Sequence, residues 1–142
     1  MFNTIAIVGL GYVGLPLSIR FAENCTTVIG IDIDPAKIRA LCKRESYIKH
    51  IDTGAISRLV QAKKFLPTMD FTKVNGADAV IICVPTPLKK TREPNLSYVL
   101  KTGRSIALHL KPGAFVVLES NKLSRNDRRR LTCRIRAKLF DA

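Results

Sequence analysis

The sequence predicts an α/β fold in which helices cover both faces of a mostly parallel, doubly wound β-sheet. Short, continuously apolar segments, typical of strands buried on both faces, alternate along the chain with amphipathic segments of helical period. This alternation favours parallel strands joined by right-handed crossovers. The length of 142 residues and the hydrophobic content of 46% fit one domain.

The first strand is predicted over Thr4–Val8 and the second over Thr27–Asp32, because both segments are apolar throughout. Between them, Tyr12–Asn24 is predicted to be a helix. Its apolar residues recur at helical spacing, which assigns an inward face to Val13, Leu17 and Phe21. Pro16 lies near the first turn, where a missing N–H group costs little.

Two further helices are each predicted to begin at an aspartate. Asp34 is predicted to cap a helix that has Pro35 at its first position. The residues expected to face inward are Ile38, Leu41 and Cys42. Asp52 begins the second helix, whose apolar face holds Ile56, Leu59 and Val60.

The second half of the chain repeats the alternation. Strands are predicted at Leu66–Thr68, at Ala79–Val84 and at Ala114–Leu118. A helix over Ser97–Leu110 lies between the last two strands, and its inward face holds Val99, Gly103, Ile106 and Leu110.

A glycine motif follows the first strand. The residues Gly9-Leu10-Gly11-Tyr12-Val13-Gly14 form G-x-G-x-x-G between a strand and a helix, and an acid, Asp32, comes 18 residues after Gly14. This context predicts a Rossmann-type dinucleotide site. Gly9 permits the tight turn, Gly11 lets the backbone approach a pyrophosphate, and Gly14 lets helix and strand pack closely.

The same motif predicts which dinucleotide binds. The helix that begins near Tyr12 directs free N–H groups and a partial positive charge at the phosphates. Asp32 accepts hydrogen bonds from a ribose 2′-hydroxyl and repels a 2′-phosphate, so the expected cofactor is NAD rather than NADP. A glycine turn without a ligand is the alternative interpretation.

Polar or glycine-rich residues follow each of the main predicted strands. Ligands of open parallel sheets gather at the carboxyl ends of the strands. The ends concerned are Gly9–Gly11, Asp32, Pro85-Thr86-Pro87 and Glu119-Ser120. We therefore expect one site at this edge of the sheet.

Charge, hydropathy and cysteine content limit the partners, cellular location and metal sites that we expect for the protein. The net charge is +13, but residues 121–142 hold 8 Lys/Arg against 2 Asp/Glu, so almost half of the excess lies in this short segment. No apolar run reaches the ~18 residues of a membrane span, and the N-terminus lacks a signal-type segment, so we expect a cytoplasmic protein. The cysteines show no C-x-x-C pair, and we expect free thiols and no metal site.

With these residues identified, the chain resembles the nucleotide-sugar 6-dehydrogenases of the UDP-glucose/GDP-mannose dehydrogenase family. The branch it resembles most is the UDP-N-acetylglucosamine (or UDP-N-acetylmannosamine) 6-dehydrogenases of bacterial polysaccharide synthesis. The matching stretches cover most of residues 3–120 and are G-L-G-Y-V-G-L-P at 9–16, D-I-D at 32–34, E-S-Y-I-K-H-I at 45–51, C-V-P-T-P-L at 83–88, R-E-P-N-L-S-Y-V at 92–99 and V-V-L-E-S at 116–120.

The resemblance implies two NAD-dependent steps that oxidise the C6 alcohol of a nucleotide sugar to a carboxylate. It implies that the turn Gly9–Val13 binds the pyrophosphate and that Asp32 and Lys37 bind the adenosine ribose. Pro85 and Thr86 would lie near the nicotinamide side. Glu119 would be the catalytic carboxylate that acts on a water or positions it.

Several of these positions also have plain structural interpretations. As alternatives, Lys37 can be interpreted as a solvated helix lysine and Glu119 as a surface acid, while Pro85 and Pro87 end the strand in either interpretation. Tyr47, Lys49 and His50 are interpreted as an exposed basic loop. Neither His50 nor His109 is given a role.

The chain departs from the family after Ser120. There the family continues T-x-Y-P-G-T-T-E-E into further domains that carry the nucleophilic cysteine, most sugar contacts and the dimer contacts. The four cysteines of this chain do not match that nucleophile: Cys25, Cys42, Cys83 and Cys133. The resemblance thus divides the chain into an NAD-binding domain, residues 1–120, and a basic non-family tail, residues 121–142. It implies a truncated chain that is inactive alone, a UDP-sugar substrate only for the full-length enzyme, and a homo-oligomer whose dimerising domain is absent here.

The tail has two interpretations. One permitted set of codons for Asn121–Leu131, read with the first base dropped, encodes T-N-Y-P-G-T-T-E-E-D, so we expect a frame shift after Ser120 and a poorly packed segment. Alternatively, Asp127–Phe140 forms a basic helix that binds nucleic acid or an acidic membrane. A stand-alone nucleotide-binding module is a further alternative for the chain. We expect neither a specific nucleic acid nor a membrane as partner.

Overall fold

The computed structural model of the chain describes residues 2–24 and 26–119. Within them the strands are β1 (Thr4–Val8), β2 (Thr27–Ile31), β3 (Phe65–Thr68), β4 (Ala79–Ile82) and β5 (Phe115–Leu118). The helices are α1 (Gly14–Glu23), α2 (Pro35–Cys42), α3 (Thr53–Gln61) and α4 (Ser97–Ala107), with a 3-10 helix at Phe71–Gly76. None of these helices has the length and apolar character that crossing a membrane requires.

The described strands form one parallel sheet in the order β3-β2-β1-β4-β5. The chain moves outward from β1 through β2 to β3, and then returns to the other side of β1 to form β4 and β5. The predicted doubly wound, parallel α/β fold is therefore confirmed. The change of direction lies between β1 and β4, which is where such folds form a ligand crevice.

Two apolar layers hold the sheet, one on each face. On one face α1, α2 and α3 bury Leu15, Ile38 and Ile56 against the sheet. On the other face the 3-10 helix and α4 bury Val74 and Ile106. This two-sided burial explains why β1 is apolar at every position from Ile5 to Val8.

The aspartate caps predicted from the sequence are present. The Asp34 side chain accepts a 2.9 Å hydrogen bond from the N–H of Ala36, and Asp52 accepts one of 3.0 Å from Gly54. Asp70 caps the 3-10 helix, which the sequence analysis did not predict. The prediction that Cys42 faces inward was wrong, because the last turn of α2 leaves it exposed.

The inward face of α1 also differs from the prediction. The buried apolar residues are Leu15, Ile19 and Ala22, whereas Val13 is exposed and Leu17 and Phe21 are only half-buried. The rotation of the helix is set by Gly14, whose backbone packs directly against the carbonyl of Gly9. Once Gly14 faces the sheet, the side chains on its side of the helix become the buried ones.

Candidate functional site

A cleft of about 840 Å³ lies at the carboxyl edge of the sheet. The register aligns Val8 with Ile31 and Ile82, and Ile82 with Leu118. The residues that follow these strand ends are therefore level with one another, namely Gly9, Asp32, Cys83 and Glu119. All of them line the cleft, which confirms the expected gathering of strand ends.

The glycine turn between β1 and α1 forms one wall of the cleft. Gly9 has φ +96°, a conformation that side chains rarely adopt, and a Cβ there would lie 2.7 Å from the Cys83 carbonyl oxygen. A Cβ on Gly14 would lie 1.7 Å from the Gly9 carbonyl oxygen, so Gly14 packs behind the turn rather than lining the cleft. A Cβ on Gly11 would meet no protein atom within 4 Å, so the turn is open on that side.

Asp32 is held in place by backbone donors. Its Oδ2 accepts a 2.8 Å hydrogen bond from the N–H of Leu10, and its Oδ1 accepts one of 2.9 Å from Asp34. The residue is only 7% exposed, yet it lines the cleft. A carboxylate can accept about four hydrogen bonds. The remaining lone pairs are therefore available to a hydroxyl group in the cleft.

Lys37 lies beside this carboxylate on the first turns of α2. Its Nζ is 3.6 Å from Asp32 Oδ2, and about a third of its side chain is exposed (34%). An ion pair this open to solvent contributes little to stability. The contribution of Lys37 to the site is that it places a cation beside the Asp32 carboxylate at the entrance of the cleft.

The opposite wall begins where β4 ends. Cys83, Pro85 and Thr86 line it, and Thr86 is buried. Burial, together with the charge of Glu119, raises the pKa of the Cys83 thiol to about 11. The thiolate is the nucleophilic form of cysteine. Cys83 is therefore protonated at neutral pH and is poorly suited to nucleophilic attack, in line with the sequence analysis.

Glu119 follows β5 and lines the cleft at the end of that strand. Its backbone N–H donates a 2.9 Å hydrogen bond to the Ile82 carbonyl, which continues the pairing of β5 with β4. Its side chain is exposed and faces the cleft. This position permits contact with a molecule bound in the cleft and with water.

The structure brings all but one of the predicted site residues to this cleft. The lining residues are Gly9, Gly11, Tyr12, Val13, Asp32, Lys37, Pro85, Thr86 and Glu119. Gly14, the exception, supports the turn from behind.

Sequence reasoning missed a polar stripe of α4 that also lines the cleft. Its members are Tyr98, Lys101, Thr102 and Ser105. They stand at positions i, i+3, i+4 and i+7, which lie on one face of a helix. Their helical spacing is a signal that the sequence contains, but the prediction of this helix rested on its apolar face alone.

The prediction that Tyr47 belongs to an exposed basic loop was also wrong. Tyr47 is half-buried, and its hydroxyl donates a 2.5 Å hydrogen bond to the Leu10 carbonyl in the glycine turn. Lys49 and His50 of the same loop are exposed. The partner of Tyr47 lies 37 residues away in the chain, so no local pattern indicates the contact.

The residues present fit a dinucleotide. Helix α1 begins without a side-chain cap, but its Leu15 N–H donates to the Gly11 carbonyl at 3.1 Å and Pro16 has no N–H, so the groups that an anion can reach are those of the preceding turn, Gly11–Val13. The open side of Gly11 gives a diphosphate room to approach those groups. Asp32, at the end of the neighbouring strand, offers acceptors to a ribose hydroxyl.

The comparisons with known proteins agree with this geometry. A family model described as "UDP-glucose/GDP-mannose dehydrogenase family, NAD binding domain" matches residues 3–139. The UDP-N-acetyl-D-mannosamine dehydrogenase of Escherichia coli (strain K12) is 40% identical over 119 residues, which are 84% of this chain and 28% of that protein. The NDP-N-acetyl-D-galactosaminuronic acid dehydrogenase of Ralstonia nicotianae is 38% identical over the same shares.

A solved structure shows the same fold. The crystal structure of a ternary complex of GDP-mannose dehydrogenase from Pseudomonas aeruginosa superimposes with a TM-score of 0.86 and 28% identity. The superposition covers 96% of this chain and 32% of that one. The chain therefore spans about a third or less of the length of each of these relatives.

Proposed function

Because this chain belongs to the UDP-glucose/GDP-mannose dehydrogenase family and matches its NAD-binding domain, we propose that it serves the oxidation of a UDP-N-acetylhexosamine. The proposed reaction converts the C6 alcohol of the sugar to a carboxylate. NAD is the cofactor and accepts the hydride when bound. The choice of sugar is supported by the names of the matching E. coli and R. nicotianae proteins.

One observation carries the proposal. The open side of Gly11 and the carboxylate of Asp32 face the same cleft, at the point where the strand order reverses. A glycine turn that served only to connect β1 to α1 would need neither an open side nor an acid that also lines the cleft. Together they match the diphosphate and the ribose of one dinucleotide.

We assign roles to the lining residues from their places in the cleft. The turn Gly9–Val13 binds the diphosphate, while Asp32 and Lys37 bind the adenosine ribose. Pro85 and Thr86 follow β4 on the opposite wall, where the nicotinamide end would lie. Glu119, at the end of β5, is the proposed catalytic carboxylate, which acts on a water or positions it.

The chain matches only part of the family's length, and this limits the part of the reaction that we assign to it. The matched segment corresponds to 28% of the E. coli relative. By the family resemblance, the sugar contacts and the nucleophilic cysteine lie in further domains. We therefore propose that residues 1–120 supply the cofactor side of the reaction and have no dehydrogenase activity alone.

Calorimetric titration of the chain with NAD and with NADP tests the proposed cofactor role. We expect NAD to bind and NADP to bind more weakly, because the Asp32 carboxylate repels a 2′-phosphate. Asp32→Ala is expected to weaken NAD binding, while Asp52→Ala, which removes the cap of α3 and does not line the cleft, serves as the control. Failure to bind NAD, or unchanged affinity in Asp32→Ala, would contradict the proposal.

A further inference from the structure

Tyr47 lies in the loop between α2 and α3, and the loop is anchored independently of the cleft. Ile48 is buried in the apolar layer beneath it. The Ser46 hydroxyl donates a 2.8 Å hydrogen bond to the Ile48 carbonyl, and the Ser46 N–H donates one of 3.3 Å to Thr53. The backbone on both sides of Tyr47 is therefore held, so its ring has a defined position.

From that position Tyr47 holds one side of the glycine turn while Asp32 holds the other. The Tyr47 hydroxyl donates to the Leu10 carbonyl at 2.5 Å, and the Leu10 N–H donates to Asp32 Oδ2 at 2.8 Å. These two bonds fix consecutive peptide units, Gly9–Leu10 and Leu10–Gly11. The side chain of Leu10 is fully buried, which leaves the residue little freedom to rotate.

The second of these peptide units ends at the open side of the turn. The described residues contain no cis peptide bond, and in a trans peptide the N–H points opposite to the carbonyl. Fixing the Leu10 carbonyl toward Tyr47 therefore fixes the Gly11 N–H in the opposite direction. Gly11 itself lines the cleft.

We propose that Tyr47 is a positioning residue of the cofactor site, which orients the Leu10–Gly11 peptide toward the diphosphate of a bound dinucleotide. The inference rests on the proposed NAD-binding function. Tyr47 does not line the cleft, so its effect passes through Leu10. Burial and the charges of Asp32 and Asp34 raise the pKa of Tyr47, so its hydroxyl remains a donor at physiological pH.

A positioning role predicts a loss confined to ligands that carry a diphosphate. Adenosine reaches only the ribose side of the site, whereas ADP-ribose also covers the glycine turn. In Tyr47→Phe, we expect ADP-ribose affinity to fall about three- to tenfold, the range given by loss of one hydrogen bond. Adenosine affinity is expected to stay within about twofold of wild type, since the bonds to Asp32 remain.

Titrations followed by NMR, with the full 142-residue chain, measure both affinities in wild type and variant. Asn24→Ala is the matched control, because it also removes one side-chain-to-backbone hydrogen bond, from Asn24 to the Arg20 carbonyl, but at the end of α1 away from the glycine turn. Equal losses for both ligands, no loss for either, or an unfolded Tyr47→Phe would overturn the inference and leave only a structural role. A wild-type chain that binds neither ADP-ribose nor NAD would overturn the proposed function as well.

Discussion

The Leu10 N–H donates a 2.8 Å hydrogen bond to Asp32 Oδ2, across 22 residues of sequence. The bond joins the glycine turn after β1 to the acid after β2. Asp32 therefore has two functions in the proposed site, since the same carboxylate that accepts a ribose hydroxyl also holds the turn that receives the diphosphate. Substitutions of Asp32 are expected to affect both.

A change of cofactor preference tests this double function. Ile33 is 67% exposed and lines the cleft next to Asp32, so Ile33→Arg can supply a partner for a 2′-phosphate. We expect Asp32→Gly with Ile33→Arg to prefer NADP. Affinity for either dinucleotide should remain at least about tenfold below that of wild type for NAD, because the Leu10 and Asp34 N–H groups lose a charged acceptor.

Calorimetry with both dinucleotides measures the outcome, and Ile33→Arg alone is the control that keeps the acid. If the double variant bound NADP as tightly as wild type binds NAD, Asp32 would have no part in holding the turn.

Two glycines of the motif should respond in opposite ways to the same substitution. In Gly14→Ala the new Cβ would fall 1.7 Å from the Gly9 carbonyl oxygen, and backbone must move to make room. We expect a loss of about 3 kcal/mol in the free energy of unfolding. Gly11→Ala meets open space, so its stability should stay within about 0.5 kcal/mol of wild type, while NAD affinity falls because the methyl group occupies the diphosphate's place.

Urea unfolding and NAD titration of the two variants give the comparison. If Gly11→Ala bound NAD as tightly as wild type does, the diphosphate would have to lie elsewhere in the cleft, away from Gly11.

Acid stability should depend on Asp78, at the opposite edge of the sheet. Its Oδ2 accepts hydrogen bonds of 2.9 and 3.0 Å from the Asn3 and Thr4 N–H groups, and its Oδ1 pairs with Lys111. The Lys111 contact, followed by these backbone donors, lowers the pKa of Asp78 from 3.8 to about 2. The ionised form is therefore favoured in the folded state, so its stabilisation is present above pH 3.8 and is lost as the pH falls toward about 2.

Thermal unfolding midpoints from pH 5 to pH 2 test this in wild type and Asp78→Asn. The wild-type midpoint should exceed that of the variant at the upper end of this range, and the difference should shrink as the pH falls. A constant difference across the range would show that Asp78 does not titrate in this window. Asp70→Asn, at a helix cap, is a useful comparison because the pKa of Asp70 is lowered chiefly by its hydrogen bonds with Thr72, with smaller contributions from the charges of Lys73 and His109.

The basic segment, residues 121–142, lies outside the described residues, as do Cys25 and Ser120. The proposed frame shift therefore stays a prediction, which the nucleotide sequence of the gene can test. If the segment did not evolve with the domain, its deletion should leave the unfolding midpoint and NAD affinity nearly unchanged. Salt-sensitive retention on heparin should fall, because the deletion removes 8 Lys/Arg. Unfolding on deletion, or selective binding of one nucleic-acid sequence by the intact chain, would show that the segment is a functional part of the protein.

Local sequence signals were enough to predict the order and approximate limits of the strands and α-helices, the glycine turn and the edge of the sheet at which the proposed site lies. These features depend on local signals: continuous apolar runs, aspartate caps at Asp34 and Asp52, and glycines at fixed spacing. Parallel strands then bring their carboxyl ends together, which is why Gly9, Asp32 and Glu119 could be assigned to one site.

The helix faces and the long-range contacts that complete that site could not be predicted from local signals. The close approach of Gly14 to Gly9 sets the rotation of α1 and buries Leu15 rather than Val13. Tyr47 reaches the turn from a loop 37 residues away, and Asp32 is held by the Leu10 N–H. Contacts of this kind depend on the three-dimensional meeting of distant segments, because the hydrogen-bond partners have no fixed spacing along the chain.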